Sequence, residues 1–153
     1  MNNETKKNID ILIRKFKFGK FREVINETII LLKKDNNDYL WNILGLCHQN
    51  LNSFEKSIEC FNNAININPQ NIAAINNIGI SYKKLKKYKQ SEEYLKKALL
   101  KNPNYINALV NLGNLKNETY FFNEALKYYN EALNLDKNNF SLYLNIANIY
   151  EIN

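Results

Sequence analysis

Three asparagines stand at equal intervals in this chain of 153 residues: Asn77, Asn111 and Asn145, spaced by 34. An asparagine side chain offers a carbonyl oxygen and an NH₂ group. A row of them can grip a polypeptide backbone by its own N–H and C=O groups, whatever side chains that backbone carries. That is the chemistry of holding, not of bond making. Groups suited to catalysis are scarce. The chain has one histidine, His48, and two cysteines, Cys47 and Cys60, which form neither a disulfide framework nor a C-x-x-C motif. One imidazole and two thiols do not make a metal site without carboxylates aimed at them. His48 reads as a packed imidazole, and the cysteines read as small interior hydrophobes. No glycine-rich phosphate loop is present. The expectation is a non-enzymatic protein with no cofactor and no metal.

An even row of amides needs an even scaffold. Gly45, Gly79 and Gly113 recur at the same interval of 34, and Ala147 follows at the next step. Ala64, Ala98 and Ala132 keep it too, as do Phe54, Tyr88 and Phe122; Phe21 lies 33 before Phe54. Pro69 and Pro103 are also 34 apart, and Lys137 takes the next place. Each period reads as two amphipathic helices joined by a short polar turn. Proline closes the unit where a helix must stop. Such a hairpin cannot bury its apolar face alone, and stacked copies bury it against each other. A mid-helix glycine costs about 1 kcal/mol relative to alanine. Its place is explained if the two helices cross closely there, since a larger side chain would push them apart. Tyr82 and Tyr88 are expected to fill the volume around Gly79.

The residues then compose a known pattern. Trp41, Leu44, Gly45, His48, Ser57, Phe61, Ala64 and Pro69 form one copy. Ile75, Ile78, Gly79, Tyr82, Ser91, Leu95, Ala98 and Pro103 form the next. Leu109, Leu112, Gly113, Lys116, Ala125, Tyr129, Ala132 and Lys137 form the third. The pattern resembles the tetratricopeptide repeat. Lys116 stands in an aromatic slot, which is expected to loosen that junction. The resemblance implies an all-α fold, a right-handed α-α solenoid of stacked helical hairpins. Residues 1–153 then form a single array: a degenerate repeat at 5–37, repeats at 38–71, 72–105 and 106–139, and a half repeat at 140–153. About nine helices are predicted, at 5–17, 20–34, 38–51, 54–67, 72–85, 88–101, 106–118, 122–135 and 140–152.

In a stack of this kind the first helices line the concave face. The three asparagines stand two residues before the small residue of each first helix, so they form a ladder along the groove. The resemblance implies that such a ladder holds an extended peptide. Asn42 and Asn114 flank it, and Tyr39, Asn76, Lys83 and Lys84 share the face by register, with Leu46, Gln49, Ile80, Asn107 and Asn117. The Lys/Arg clamp with which one subtype binds acidic chaperone tails is missing at these positions.

Net charge is +6, from 19 Lys and 2 Arg against 15 acidic residues, and Asn supplies 30 residues. Residues 72–105 alone carry 8 Lys and 2 Glu, with the run KKLKKYK over Lys83 to Lys89. This turn could meet phosphates or an acidic protein; a solvated turn is the plainer reading. Nucleic-acid binding is not expected, because Arg14 and Arg22 are the only arginines. No apolar run approaches the ~20 residues that span a membrane. No leader pattern is visible at the start, and the two unpaired thiols fit a reducing compartment, so a cytoplasmic location is expected.

The closing stretch, FSLYLNIANIYEIN, is apolar on more than one face. An end of an array is expected to be polar outside, so this end is expected to pair with another subunit or to precede further chain. The leading functional expectation is an adaptor that binds a peptide or partner helix in the groove. One alternative is the substrate-selecting front of a glycosyltransferase- or sulfotransferase-type protein. Another is phosphate or nucleic-acid contact through residues 83–89.

Overall fold

The 34-residue interval becomes a stack of helix pairs. A computed structural model describes residues 3–152; Met1, Asn2 and Asn153, the outermost residues of the expected array, lie outside it. Nine helices and no strand occur among the described residues. They are α1 (Asn3–Lys17), α2 (Phe21–Leu32), α3 (Asp38–Asn50), α4 (Phe54–Ile67) and α5 (Ile72–Lys84), followed by α6 (Tyr88–Lys101), α7 (Ile106–Glu118), α8 (Phe122–Leu135) and α9 (Phe140–Ile152). Helix α2 ends two residues before its predicted stop, because Lys33 and Lys34 already form a turn. The other boundaries agree within two residues.

Each helix packs on the next in sequence, and α1, α3, α5 and α7 also pack in series along one side. This second set of contacts makes the row of first helices continuous. Four of the hairpins turn in the same way. Gly19, Asn52, Lys86 and Tyr120 have φ of 72°, 58°, 57° and 64°. The amide that follows each donates back to the last turn of the first helix: Lys20 to Lys15 at 3.1 Å, Ser53 to His48 at 2.8 Å, Lys87 to Tyr82 at 2.9 Å and Phe121 to Lys116 at 2.8 Å. This is the left-handed helix ending that satisfies orphan carbonyls. The opening hairpin shares it, although its sequence matches the repeat poorly.

The periodic small residues make two kinds of close approach. A Cβ on Gly45 would stand 2.5 Å from Cε1 of Phe61, and one on Gly79 would stand 2.7 Å from Cγ of Leu95. At Gly113 the obstruction is the ring of Tyr129. The volume over Gly79 is therefore filled by Leu95, not by Tyr82 and Tyr88 as the sequence led us to expect. Tyr82 stacks near Tyr94 instead, with ring centroids 5.5 Å apart. Tyr88 sits at the start of α6 and donates to Glu118 at 3.1 Å. The alanines mark the second approach. Ala64 shares a core cluster with Ala74, and Ala98 shares one with Ala108, so each second helix meets the following first helix through methyl groups. Ala132 is equally buried, packed in one cluster with Leu142, which stands where the alanine of the next unit would be. Leu44 is buried, while Trp41 is half-buried and donates from Nε1 to Asn36 at 2.7 Å.

Pro69 and Pro103 lie just past the last helical residue of α4 and α6, outside the helices. The turn there survives without proline. Asn68, Asn102 and Asp136 each accept a bond from the amide two residues on, at 3.0, 3.0 and 3.3 Å. Lys137 therefore sits inside a turn that Asp136 already fixes.

Candidate functional site

Three successive first helices bring the asparagine row to one hollow. It has a volume of about 420 Å³. Asn77, Asn111 and Asn145 all line it, with Asn76, Asn107, Asn139 and Ser141 supplying further polar groups. Ile80, Ile106, Val110 and Leu142 supply the apolar part. Among the described residues, none that lines it carries a charge.

Each row member is tethered by an amide on the preceding first helix. Asn77 Nδ2 donates to Asn42 Oδ1 at 3.4 Å, Asn111 Nδ2 to Asn76 Oδ1 at 3.0 Å, and Asn145 Nδ2 to Asn114 Oδ1 at 3.5 Å. Asn42 and Asn76 occupy the same register; the next such position is Val110, which has no amide. Asn145 therefore reaches one helical turn further, to Asn114. Asn114 is itself fixed, since Tyr129 donates its hydroxyl to Asn114 Oδ1 at 2.8 Å. One N–H of each row asparagine is used in this way. The other N–H remains, and so do the Oδ1 atoms of Asn111 and Asn145, which accept from no donor among the described residues. Donor and acceptor on one plane are what a peptide group requires.

The remaining expected residues divide. Asn76 lines the floor but is buried, and its Nδ2 also points to Asn77 Oδ1 at 3.4 Å, so it is a tether rather than an open group. Asn42 and Asn114 are tethers as well. Tyr39 is 57% exposed at the head of α3 and lies outside the hollow. Lys83 bonds Glu118 on α7 at 3.0 Å, with its side chain only 17% exposed, so it clamps two repeats together instead of facing a ligand. Lys84 is exposed and lines a separate hollow with Gln49, Phe54 and Ile80. The rest of the lysine run, Lys86, Lys87 and Lys89, is exposed.

Val110, Ile106, Asn139, Ser141 and Leu142 also line the hollow and are not among the expected groove residues. The signal for Ser141 was available, since it follows Asn107 by 34 residues. Gln49 was placed on the groove; it instead donates to Asn77 O at 3.2 Å and Ser81 Oγ at 2.9 Å, tying α3 to α5.

Lys116 reverses its expectation. It lies 8% exposed between Glu92 at 3.1 Å and Glu124 at 2.9 Å, with its ammonium 5.2 Å from the Phe121 ring centroid. The lysine ties α6, α7 and α8 together where an aromatic would only have filled space. Burial pulls its pKa down, but the bonds to Glu124 and Glu92 outweigh that and raise it. Both thiols are buried and unpaired, and burial pushes Cys47 up to about 12 and Cys60 up to about 11. His48 is half-buried and its pKa is lowered, by burial first and by Lys56 second, against the pull of Glu59. Among the described residues no cluster of His, Cys, Asp and Glu could hold a metal ion. No described helix is long and apolar enough to cross a membrane.

Profiles of the tetratricopeptide repeat match residues 39–71 and 72–105, and a second such profile matches 106–139. The chain belongs to the tetratricopeptide repeat family. As a tetratricopeptide repeat protein it has many structural relatives, at low sequence identity. PilF of Pseudomonas aeruginosa superposes with a TM-score of 0.84 at 19% identity, covering 94% of this chain and 66% of that one. MamA of Desulfovibrio magneticus RS-1 gives 0.78 at 17%, covering 97% and 85%. The first TPR of Spaghetti (RPAP3), bound to the HSP90 peptide SRMEEVD, gives 0.71 at 22%, covering 76% and 93%. At these identities the likeness shows the right-handed α-α solenoid and nothing finer. No curated protein matches the sequence significantly.

Proposed function

We propose that this protein is an interaction module that holds an extended peptide in its concave groove. Asn77, Asn111 and Asn145 grip the peptide backbone, and Asn42, Asn76 and Asn114 hold those three in position. The observation that carries this reading is the shared hollow, in which each row asparagine is tethered through one N–H and keeps the other, while Asn111 and Asn145 also keep an oxygen for a ligand. The opening hairpin and α9 belong to the same array, as a divergent repeat and a half repeat; the common turn at Gly19 supports the first assignment.

The magnitudes bound the affinity. Three N–H groups and two oxygens, at about 1 kcal/mol net per bond, give roughly 5 kcal/mol. That corresponds to a Kd of roughly hundreds of micromolar, before the cost of ordering the peptide. Amides alone therefore make a weak, sequence-tolerant grip.

A phage-displayed nonapeptide library selected on the immobilised chain tests the proposal. Binders should lose affinity for the Asn77→Ala/Asn111→Ala/Asn145→Ala variant, whose helical circular dichroism stays near that of the parent. Binders that hold the variant as tightly as the parent would refute the ladder.

A further inference from the structure

We infer that the hollow selects a peptide that is uncharged along its length and carries a small apolar side chain at about every third residue. The inference rests on the reading of Asn77, Asn111 and Asn145 as backbone-gripping rungs, and adds what kind of chain they grip.

The spacing comes from two lengths. Packed helices lie roughly 8–10 Å apart, and a peptide in the extended polyproline II conformation advances roughly 3.1 Å per residue with three residues per turn, so that every third side chain faces the same way. One step from rung to rung thus takes about three peptide residues. At each step an aliphatic side chain stands beside the rung. Ile80 lies one helical turn beyond Asn77, Val110 directly precedes Asn111, and Leu142 lies one helical turn before Asn145; all three line the hollow, Ile80 and Val110 half-buried and Leu142 buried. A side chain at every third peptide position returns to these apolar patches.

The neutrality comes from the lining. It is made of amides, one hydroxyl and aliphatic groups, without a charge among the described residues. Of the two cations expected on this face, Lys83 is occupied by Glu118 at 3.0 Å, and Lys84 lines a separate hollow. A carboxylate or ammonium on the peptide would give up water and meet no counter-charge, and an unpaired charge out of water is strongly disfavoured. An aliphatic or hydroxyl side chain loses little there.

The test uses the full chain and capped, fluorescein-labelled nonapeptides followed by anisotropy. The reference peptide has valine at every third position and serine between. Two analogues replace the serines by glutamate or by lysine, and a third moves the valines to every second position. The reference should bind, the charged analogues at least tenfold more weakly, and the respaced one at least fivefold more weakly. Asn145→Ala alone, and the triple asparagine variant where circular dichroism shows it folded, should each weaken the reference. Val110→Glu should shift preference toward the lysine peptide. Charged analogues that bind as tightly as the reference, yet remain sensitive to the asparagine changes, would overturn the neutrality and leave the ladder standing. Equal binding of the respaced peptide would overturn the spacing. A reference peptide that ignores the asparagine changes, or does not bind, would sink both the inference and the reading beneath it.

Discussion

The ring of Phe61 lies directly over the bare backbone of Gly45, so close that a methyl group there would stand 2.5 Å from Cε1. Gly79 has the same relation to Leu95, a branched aliphatic side chain rather than a ring. The two sites should respond differently to alanine. Alanine gains about 1 kcal/mol of helix propensity at either place. Overpacking costs about 1–3 kcal/mol where the neighbour cannot yield. We expect both changes to lower the urea midpoint, because Phe61 and Leu95 are fully buried and the Ser91 carbonyl oxygen also stands 3.3 Å from a methyl at Gly79, with the larger loss at Gly45, where a rigid ring is met. A Gly79→Ala loss as large as that of Gly45→Ala would contradict this.

Ser91 marks a correctable flaw. Its hydroxyl is fully buried and has no hydrogen-bond partner among the described residues, whereas Ser57 at the same register bonds Ser81 at 2.8 Å. The next unit carries Ala125 there. An unsatisfied buried polar group costs about 1–3 kcal/mol. Ser91→Ala should raise stability by about 1 kcal/mol, or about 2–4 °C in Tm for a chain of this size. Ser57→Ala should lower it. Thermal unfolding of the two variants side by side checks the contrast.

The pair of Lys116 and Glu92 sets an acid limit. Burial raises the Glu92 pKa, but bonds from Lys96 and Lys116 outweigh it and leave it below the ordinary 4.5. Glu118 is lowered similarly: burial raises it, and Lys83 and Tyr88 more than offset that. A lowered carboxyl stabilises the fold above its unfolded value and loses that contribution as pH falls through its folded value. Stability should therefore drop as pH falls below about 4.5. Lys116→Met should shrink the Tm difference between pH 7 and the acid side of that limit. An unchanged difference would show that the bridge contributes nothing.

Helix α9 keeps a broad apolar surface open, with Phe140 80%, Leu144 65% and Tyr150 68% exposed. The sequence gives this end two expectations, pairing with another subunit or preceding further chain, and the first is open to test. Sedimentation velocity should show species above the monomer as concentration rises, and Leu144→Glu with Tyr150→Glu should return the monomer. Identical sedimentation of parent and variant at every concentration would remove this end as a pairing surface.

Much of the architecture was legible because one residue per repeat makes the same demand. Gly45, Gly79 and Gly113 report a close approach wherever they fall, and the interval between them carries the helix boundaries. The hollow was legible for the same reason, through the three asparagines. What escaped were relations between units. Lys116 looked like a defect because its glutamates come from α6 and α8, and no register connects them to it. Asn76 looked open because its burial depends on where α7 lies. The turns escaped because Asn52, Lys86 and Tyr120 share a backbone angle but no residue type.

Those turns have a last consequence. Gly19, Asn52, Lys86 and Tyr120 turn the chain alike, so each of these four hairpins sets its second helix against its first in a similar way. Gene duplication can then splice in another whole unit without redesigning its neighbours. Each added unit would lengthen the reach of the molecule by one fixed increment, so reach would be counted in copies rather than shaped by individual mutations.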